Sequence, residues 1–154
     1  MIRHYYATPT HNPDGNRAVA DFVSHIIWGE PGRIEKYSTM AVVDDGVLIA
    51  GVVFHNWDED AGVMELTAAS ASPRWLTTPI IQAMHQFPFD LIGAQMVMHR
   101  VRGDNERMIR IHRKFGCHEV VIRRGCGRDT DCHVFTLTDD QWRAHPVALR
   151  EKKR

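Results

Sequence analysis

Apolar residues recur along this chain with two different periods. Ala18, Val19, Phe22, Val23, Ile26 and Ile27 fall as pairs spaced by four, the repeat of one helix face, with Asn12-Pro13-Asp14 as a start signal and Gly29 as a stop. The pattern then changes to continuous runs. Ser38 to Val43 and Val47 to Trp57 are β-branched or apolar stretches joined by Asp44-Asp45-Gly46, and Asp-Gly between such runs signals a tight antiparallel hairpin. After the polar turn Asp58-Glu59-Asp60-Ala61-Gly62, the stretch Val63 to Ala69 alternates. Met64, Leu66 and Ala68 take one face of the predicted strand, Glu65 and Thr67 the other, which sets a carboxylate inside a central strand.

The second half offers a helix start at either Ser70-Ala71-Ser72-Pro73 or Thr78-Pro79, ahead of the apolar segment Ile80 to Phe87. Pro88 and Gly93 bracket a loop, Ala94 to Val101 reads as a strand, and Asp104 or Asn105 caps a helix. That helix presents Met108, Ile111, His112 and Phe115 on one face and closes at Gly116. Cys117 to Arg123 and His133 to Leu137 are further strands around a polar insertion, Arg124 to Asp131, and Thr138-Asp-Asp-Gln141 is a capping box opening a short last helix. Ile34 to Tyr37 carries no clear pattern, and residues 150–154 read as a charged, solvated tail. The order predicts the α/β class: a single mixed, mostly antiparallel sheet flanked by helices on both faces, in one domain over residues 1–149.

Composition narrows the function more than the fold. At 154 residues, with 44% hydrophobic and 25% charged residues, the chain suffices to bury about two-thirds of its unfolded surface without a disulfide or metal. Nineteen basic side chains against nineteen acidic ones leave no overall field for nucleic acid or anionic lipid. No apolar run approaches the ~20 residues of a membrane span, and the start lacks a signal-peptide pattern, so a cytoplasmic protein is expected. Three cysteines, Cys117, Cys126 and Cys132, fit reduced thiols. With His118 and His133 they lack the two-residue spacing of a zinc knuckle, and Asp129 and Asp131 read as an ordinary charged loop, so no metal is expected. No nucleophile-elbow or activated-cysteine context is present.

The most specific stretch is Asn105-Glu-Arg-Met-Ile-Arg-Ile-His-Arg-Lys-Phe-Gly116. It resembles the late strand-helix-strand segment of the GNAT-family acyltransferases, with Asn105, Met108, His112 and Gly116 at matching positions and Cys117 where that family usually has an aromatic. The elements from Ser38 to Leu137 also follow that family's order. The resemblance implies the GNAT-like acyl-CoA N-acyltransferase fold and transfer of an acetyl group from acetyl-CoA to a primary amine. It also implies a pantetheine arm between the strands Val63 to Ala69 and Ala94 to Val101, with backbone groups of Thr67 and Ala68 near the thioester.

By the same resemblance the diphosphate sits at the helix start over residues 72–78, where free N–H groups favour anions. The family's loop is glycine-rich, whereas this one has no glycine. Its available donors are the amides of Arg74, Trp75, Leu76, Thr77 and Thr78, the Arg74 guanidinium, and the hydroxyls of Ser72, Thr77 and Thr78. Glu65 is the candidate for taking the amine proton, with His55 and His99 as alternatives; equally it is a strand carboxylate paired to Arg100 or Arg102. His112 stands where the family often has a tyrosine that protonates the leaving thiolate; its spacing fits a hydrogen-bonded packing residue as well. Asn105 caps its helix or bonds the CoA arm. The competing class is a catalytically silent GNAT-fold binding protein, in which Trp57, Trp75 and the arginines from Arg123 to Arg128 serve a protein or nucleic-acid partner. A homodimer is compatible with either.

Overall fold

The computed structural model describes residues 1–151. Seven strands form one mixed sheet in the order β1-β2-β3-β4-β5-β7-β6. They are β1 (Ile2–Ala7), β2 (Ser38–Asp44), β3 (Val47–Asp58), β4 (Val63–Ser70), β5 (Met96–Arg102), β6 (His118–Gly127) and β7 (Thr130–Thr138). Every neighbouring pair is antiparallel except β4 and β5, which are parallel. Helices α1 (Pro13–Trp28), α2 (Thr78–Gln86), α3 (Glu106–Phe115), α4 (Asp139–Arg143) and α5 (Pro146–Leu149) cover the two faces.

Local chemistry fixes most of these boundaries. Asn12 caps α1 by accepting from the Gly15 amide at 3.1 Å, and Gly29 ends it in a left-handed conformation. Asp45 and Gly46 both adopt positive φ, as the two-residue β2–β3 turn requires. Both bonds of the Thr138/Gln141 capping box are made, at 3.0 and 3.3 Å. Helix α1 lies close on β3 because Gly51 has no side chain: a Cβ there would stand 2.8 Å from methyl carbons of both Val19 and Val23.

The alternation read in β4 sorts the core. On the α2 side Val52, Phe54, Met64 and Leu66 pack with Trp75, Ile80, Met84 and Phe87, while on the α1 side Val53 and Ala69 pack with Ala20, Val23 and Ile34. Helix α3 adds Ile109, against Val101 and Phe135. Helix α1 packs on β2, β3 and β4. The face it shares with β5 and β7 is therefore open beyond β4.

Several expectations are corrected. The first residues form β1, an edge strand antiparallel to β2, whose Ile2 to Ala7 pattern is too polar to announce itself. The loop expected between Pro88 and Gly93 is a π-helical turn, Phe87–Ile92, continuous with α2; Pro88, which has no N–H to give the backbone ladder, stands where the α-helix gives way to the wider turn. The polar insertion Arg124 to Asp131 is mostly strand, since β6 bulges between Ile122 and Gly127 before turning into β7. Arg150, expected in a frayed tail, donates to the Thr78 hydroxyl at 2.9 Å, and its carbonyl accepts from Gln82 at 3.0 Å. The tail from Lys152 onward lies outside the described residues.

Candidate active site

The parallel pair β4 and β5 holds the site because it comes apart. Their ladder contains three pairs, Val63 with Met96, Met64 with Val97 and Glu65 with Met98, and stops there. Beyond that point β4 continues to Ser70 paired only with β3, and β5 continues to Arg102 paired only with β7. The backbone of Leu66 to Ala69 therefore faces a wedge-shaped gap rather than a strand. Alternation makes the wedge two-sided: Thr67 and Arg100 line a cavity on one face, Ala68 and His99 a slot on the other.

The first cavity, about 580 Å³, lies on the face α1 leaves open, with Glu65 in its floor. Glu65 is 5% exposed, so its carboxylate needs partners. Arg100 Nε stands 3.4 Å from Oε1, Asn56 Nδ2 donates to the same oxygen at 3.3 Å, and His55 Nε2 lies 3.5 Å from Oε2. The same His55 nitrogen is 2.8 Å from the Thr67 hydroxyl. Burial lowers the His55 pKa, opposed by the nearby carboxylate, so its ring is neutral at pH 7. Of the two sequence readings of Glu65, the strand carboxylate paired to Arg100 is present, in the floor of the cavity. His55 joins the cluster; His99 points to the other face. Asn56 was not anticipated: it sits at a β3 irregularity with φ 49°, a left-handed position that asparagine tolerates better than most residues.

The second space is a narrow apolar slot of about 80 Å³ between α2 and α3, lined by Ala68, Trp75, Leu76, Met108, His112 and Phe115 among others. His112 donates Nδ1–H to the Met108 carbonyl at 2.9 Å, stacks on Phe135 with ring centroids 4.8 Å apart, and meets His99 at the same distance. Its Nε2 is then an unprotonated acceptor, and burial lowers its pKa. His99 is held well below its ordinary pKa by burial, reinforced by His112. His112 is therefore largely neutral at pH 7, which weakens the acid role and favours packing. Deeper in, His85 is pushed down to about 4, chiefly by burial, and stacks on Trp142 at 4.3 Å. Burial holds the Cys117 thiol up at about 11.

The loop over residues 70–77 differs from the expected donor set. Helix α2 starts at Thr78, capped by Thr77, so Ser72 lies in the preceding turn and not at a helix start. The Arg74 amide is engaged by the Ser72 hydroxyl at 3.3 Å and the Thr77 amide by the Trp75 carbonyl at 2.9 Å; Ser70 Oγ donates to the Ser72 carbonyl. Trp75 is 5% exposed and belongs to the main core, which removes it from any partner-binding surface. The Thr78 hydroxyl accepts from Arg150, whereas the Thr77 side chain makes no capping bond. Two cations missed in the sequence reach this loop and the helix start after it: Arg107 donates to the Pro73 carbonyl at 3.4 Å, and Arg150 donates to the Thr78 hydroxyl. With Arg74 they make the loop cationic where glycines are lacking. Asn105 caps α3, accepting from the Met108 amide at 3.3 Å.

Among the described residues no cluster of three or more histidine, cysteine, aspartate or glutamate side chains could hold a metal, and no helix is long and apolar enough to cross a membrane. No family model and no curated protein matches the chain in sequence. Solved structures do match in shape. Mutant forms of the spermidine/spermine N-acetyltransferase SpeG from Vibrio cholerae superpose with a TM-score of 0.70 at 11% identity, over 92% of this chain and 96% of theirs. A GCN5-related N-acetyltransferase from Brucella melitensis gives 0.67 at 16% identity, over 96% and 79%. A GNAT-family acetyltransferase from Streptococcus pneumoniae gives 0.66 at 11%, over 90% and 99%. At such identities the likeness carries the fold, and the fold is that of the GNAT-family acetyltransferases.

Proposed function

We propose that this protein is an N-acetyltransferase that moves an acetyl group from acetyl-CoA to a primary amine. The observation that carries the reading is the β4–β5 wedge, with a buried carboxylate at its tip on one face and an apolar slot on the other. The residues present fit the co-substrate. The backbone of Leu66 to Ala69 offers the arm peptide groups free of a β5 partner, and the slot offers apolar walls. Arg74, Arg107 and Arg150, with the Thr77 hydroxyl at the α2 N-terminus, offer the diphosphate cations and a donor. Acetyl-CoA, when bound, supplies an activated acetyl carbonyl.

An amine is protonated at neutral pH and attacks only after losing a proton. Glu65 takes that proton, directly or through water, and neutral His55 and Asn56 hold its carboxylate in place. Arg100, 3.4 Å from Oε1, sets a guanidinium beside that carboxylate. His112 shapes the slot, and a thiolate released there would take its proton from solvent.

Calorimetric titration with acetyl-CoA tests the donor half, and thiol release in the presence of amines tests the transfer. Saturable acetyl-CoA binding with amine-dependent thiol release supports the reading. Failure of acetyl-CoA and of longer acyl-CoA to bind at about millimolar concentration, where binding free energy is only about 4 kcal/mol, turns the assignment to a silent binding protein.

A further inference from the structure

The larger cavity carries a charge pattern that proton transfer does not use. Its lining sets three guanidinium groups, Arg33, Arg100 and Arg102, against two carboxylates, Glu35 and Glu65. Arg100 and Arg102 occupy alternate positions of β5 and so share one face, while Arg33 arrives from the segment after α1. Two of the three are steadied by groups other than Glu35 and Glu65. Arg33 binds Glu30 at 2.8 Å and lies 5.4 Å from the Trp28 ring centroid. Arg102 forks onto Asp104 with both contacts at 3.3 Å and donates to the Cys126 carbonyl at 3.3 Å.

All three arginine side chains are half exposed; the Arg33 and Arg102 ion pairs have exposed partners and are worth at most about 1 kcal/mol each, so a ligand anion can take over their donors at little cost, while Arg100 keeps Nε on Glu65 and offers its other nitrogens. Glu65, by contrast, is buried and already shared among Arg100, Asn56 and His55. A ligand carrying several ammonium groups would find carboxylates at Glu65 and Glu35 but set its charge among three guanidinium groups. A ligand carrying an amine and an anion satisfies both zones. Ile27, Trp28 and Ile34 supply apolar wall between them.

We infer that this cavity takes an amine that bears its own anionic group, a carboxylate or phosphate held by Arg33, Arg100 and Arg102, with the amine at Glu65. The amine end rests on the transferase reading above; the anion subsite does not. Isothermal titration of the protein without acetyl-CoA therefore tests it, using β-alanine for the carboxylate, O-phosphoethanolamine for the phosphate, and ethanolamine and spermidine as comparisons. At least one anionic amine should bind about tenfold or more tighter than ethanolamine and spermidine. That margin should shrink with added salt, fall about tenfold in Arg102→Gln, and return in Arg102→Lys, each variant having the parent melting temperature. The stronger of the two anionic probes identifies carboxylate or phosphate as the group recognised.

Equal binding of ethanolamine or spermidine, a margin unchanged in Arg102→Gln, or no binding of either anionic probe at about 10 mM overturns the inference. Loss of acetyl-CoA binding with this margin intact overturns only the transferase reading. Turnover of spermidine ahead of both anionic amines overturns only the anion subsite.

Discussion

Lowering the pH from 7.5 to 5 should destabilise this protein through histidines that stay neutral when folded, and His85 sets the scale. It stacks on Trp142, donates Nδ1–H to the Ile81 carbonyl at 2.7 Å, and has a folded pKa of about 4 against 6.5 when exposed. Between those values the unfolded chain binds the extra proton, so stability falls as pH falls; above 6.5 the contribution is complete, and below 4 it is gone. At 1.36 kcal/mol per pH unit the full effect is about 3 kcal/mol, of which about 2 kcal/mol is lost by pH 5. For a chain of this length that corresponds to a melting-temperature drop of about 4–8 °C. His55, His99 and His112 are lowered in the same direction and add to it. Urea melts from pH 7.5 to 5 on the parent and on His85→Phe, which keeps a ring against Trp142, isolate the His85 share. The variant should lose about one proton's worth of pH slope, so that the two stabilities converge or cross as acid is added. Parallel pH dependences for the two proteins would show that His85 titrates normally, and the reasoning from its burial would fail.

Glu65→Gln should keep acetyl-CoA affinity within a factor of about two and lower turnover by about a hundred- to ten-thousand-fold, read as thiol release at saturating amine. Arg74→Glu places a like charge beside the proposed diphosphate site and should weaken acetyl-CoA binding about tenfold or more by calorimetry, with melting temperature unchanged. Gly51→Ala drives a Cβ to 2.8 Å from two valine methyl carbons and should cost about 1–3 kcal/mol in urea unfolding. His112→Phe should retain turnover and its alkaline pH limb if the neutral imidazole only packs; a loss of rate on the acid side together with disappearance of the alkaline limb would restore its acid role.

What the sequence disclosed was local. Asn12, Gly29, Asp45-Gly46, Thr138 and Gln141 announce helix ends and a turn because each bonds or bends within a few residues of itself. The alternation Met64, Glu65, Leu66, Thr67, Ala68 likewise reported which side chains enter the core, a property of one strand taken alone. The residues that escaped notice reach the site through tertiary approach. Arg107 meets the loop at Pro73 and Arg150 meets the first residue of α2, Thr78, from 34 and 72 positions away, and nothing in their neighbours' spacing marks them. Asn56 needs a β3 irregularity that no hydrophobic period reveals.

The wedge is the feature on which the proposed function rests, and it exists only as a difference between two ladders. Neither β4 nor β5 carries a break in its own pattern; they part because β4 follows β3 and β5 follows β7 after the Glu65–Met98 pair. Once that pair is known, the period of two does the rest. Thr67 and Arg100 must then face the cavity that holds Glu65, and Ala68 and His99 must face the slot. A one-residue slip of β5 would exchange His99 for Arg100, leaving the buried carboxylate without its guanidinium and driving a charge into the apolar slot. The desolvation of that charge and the unpaired Glu65 it would leave behind add to the burial of Val97 and Val101 in holding the register, and with it both faces of the site.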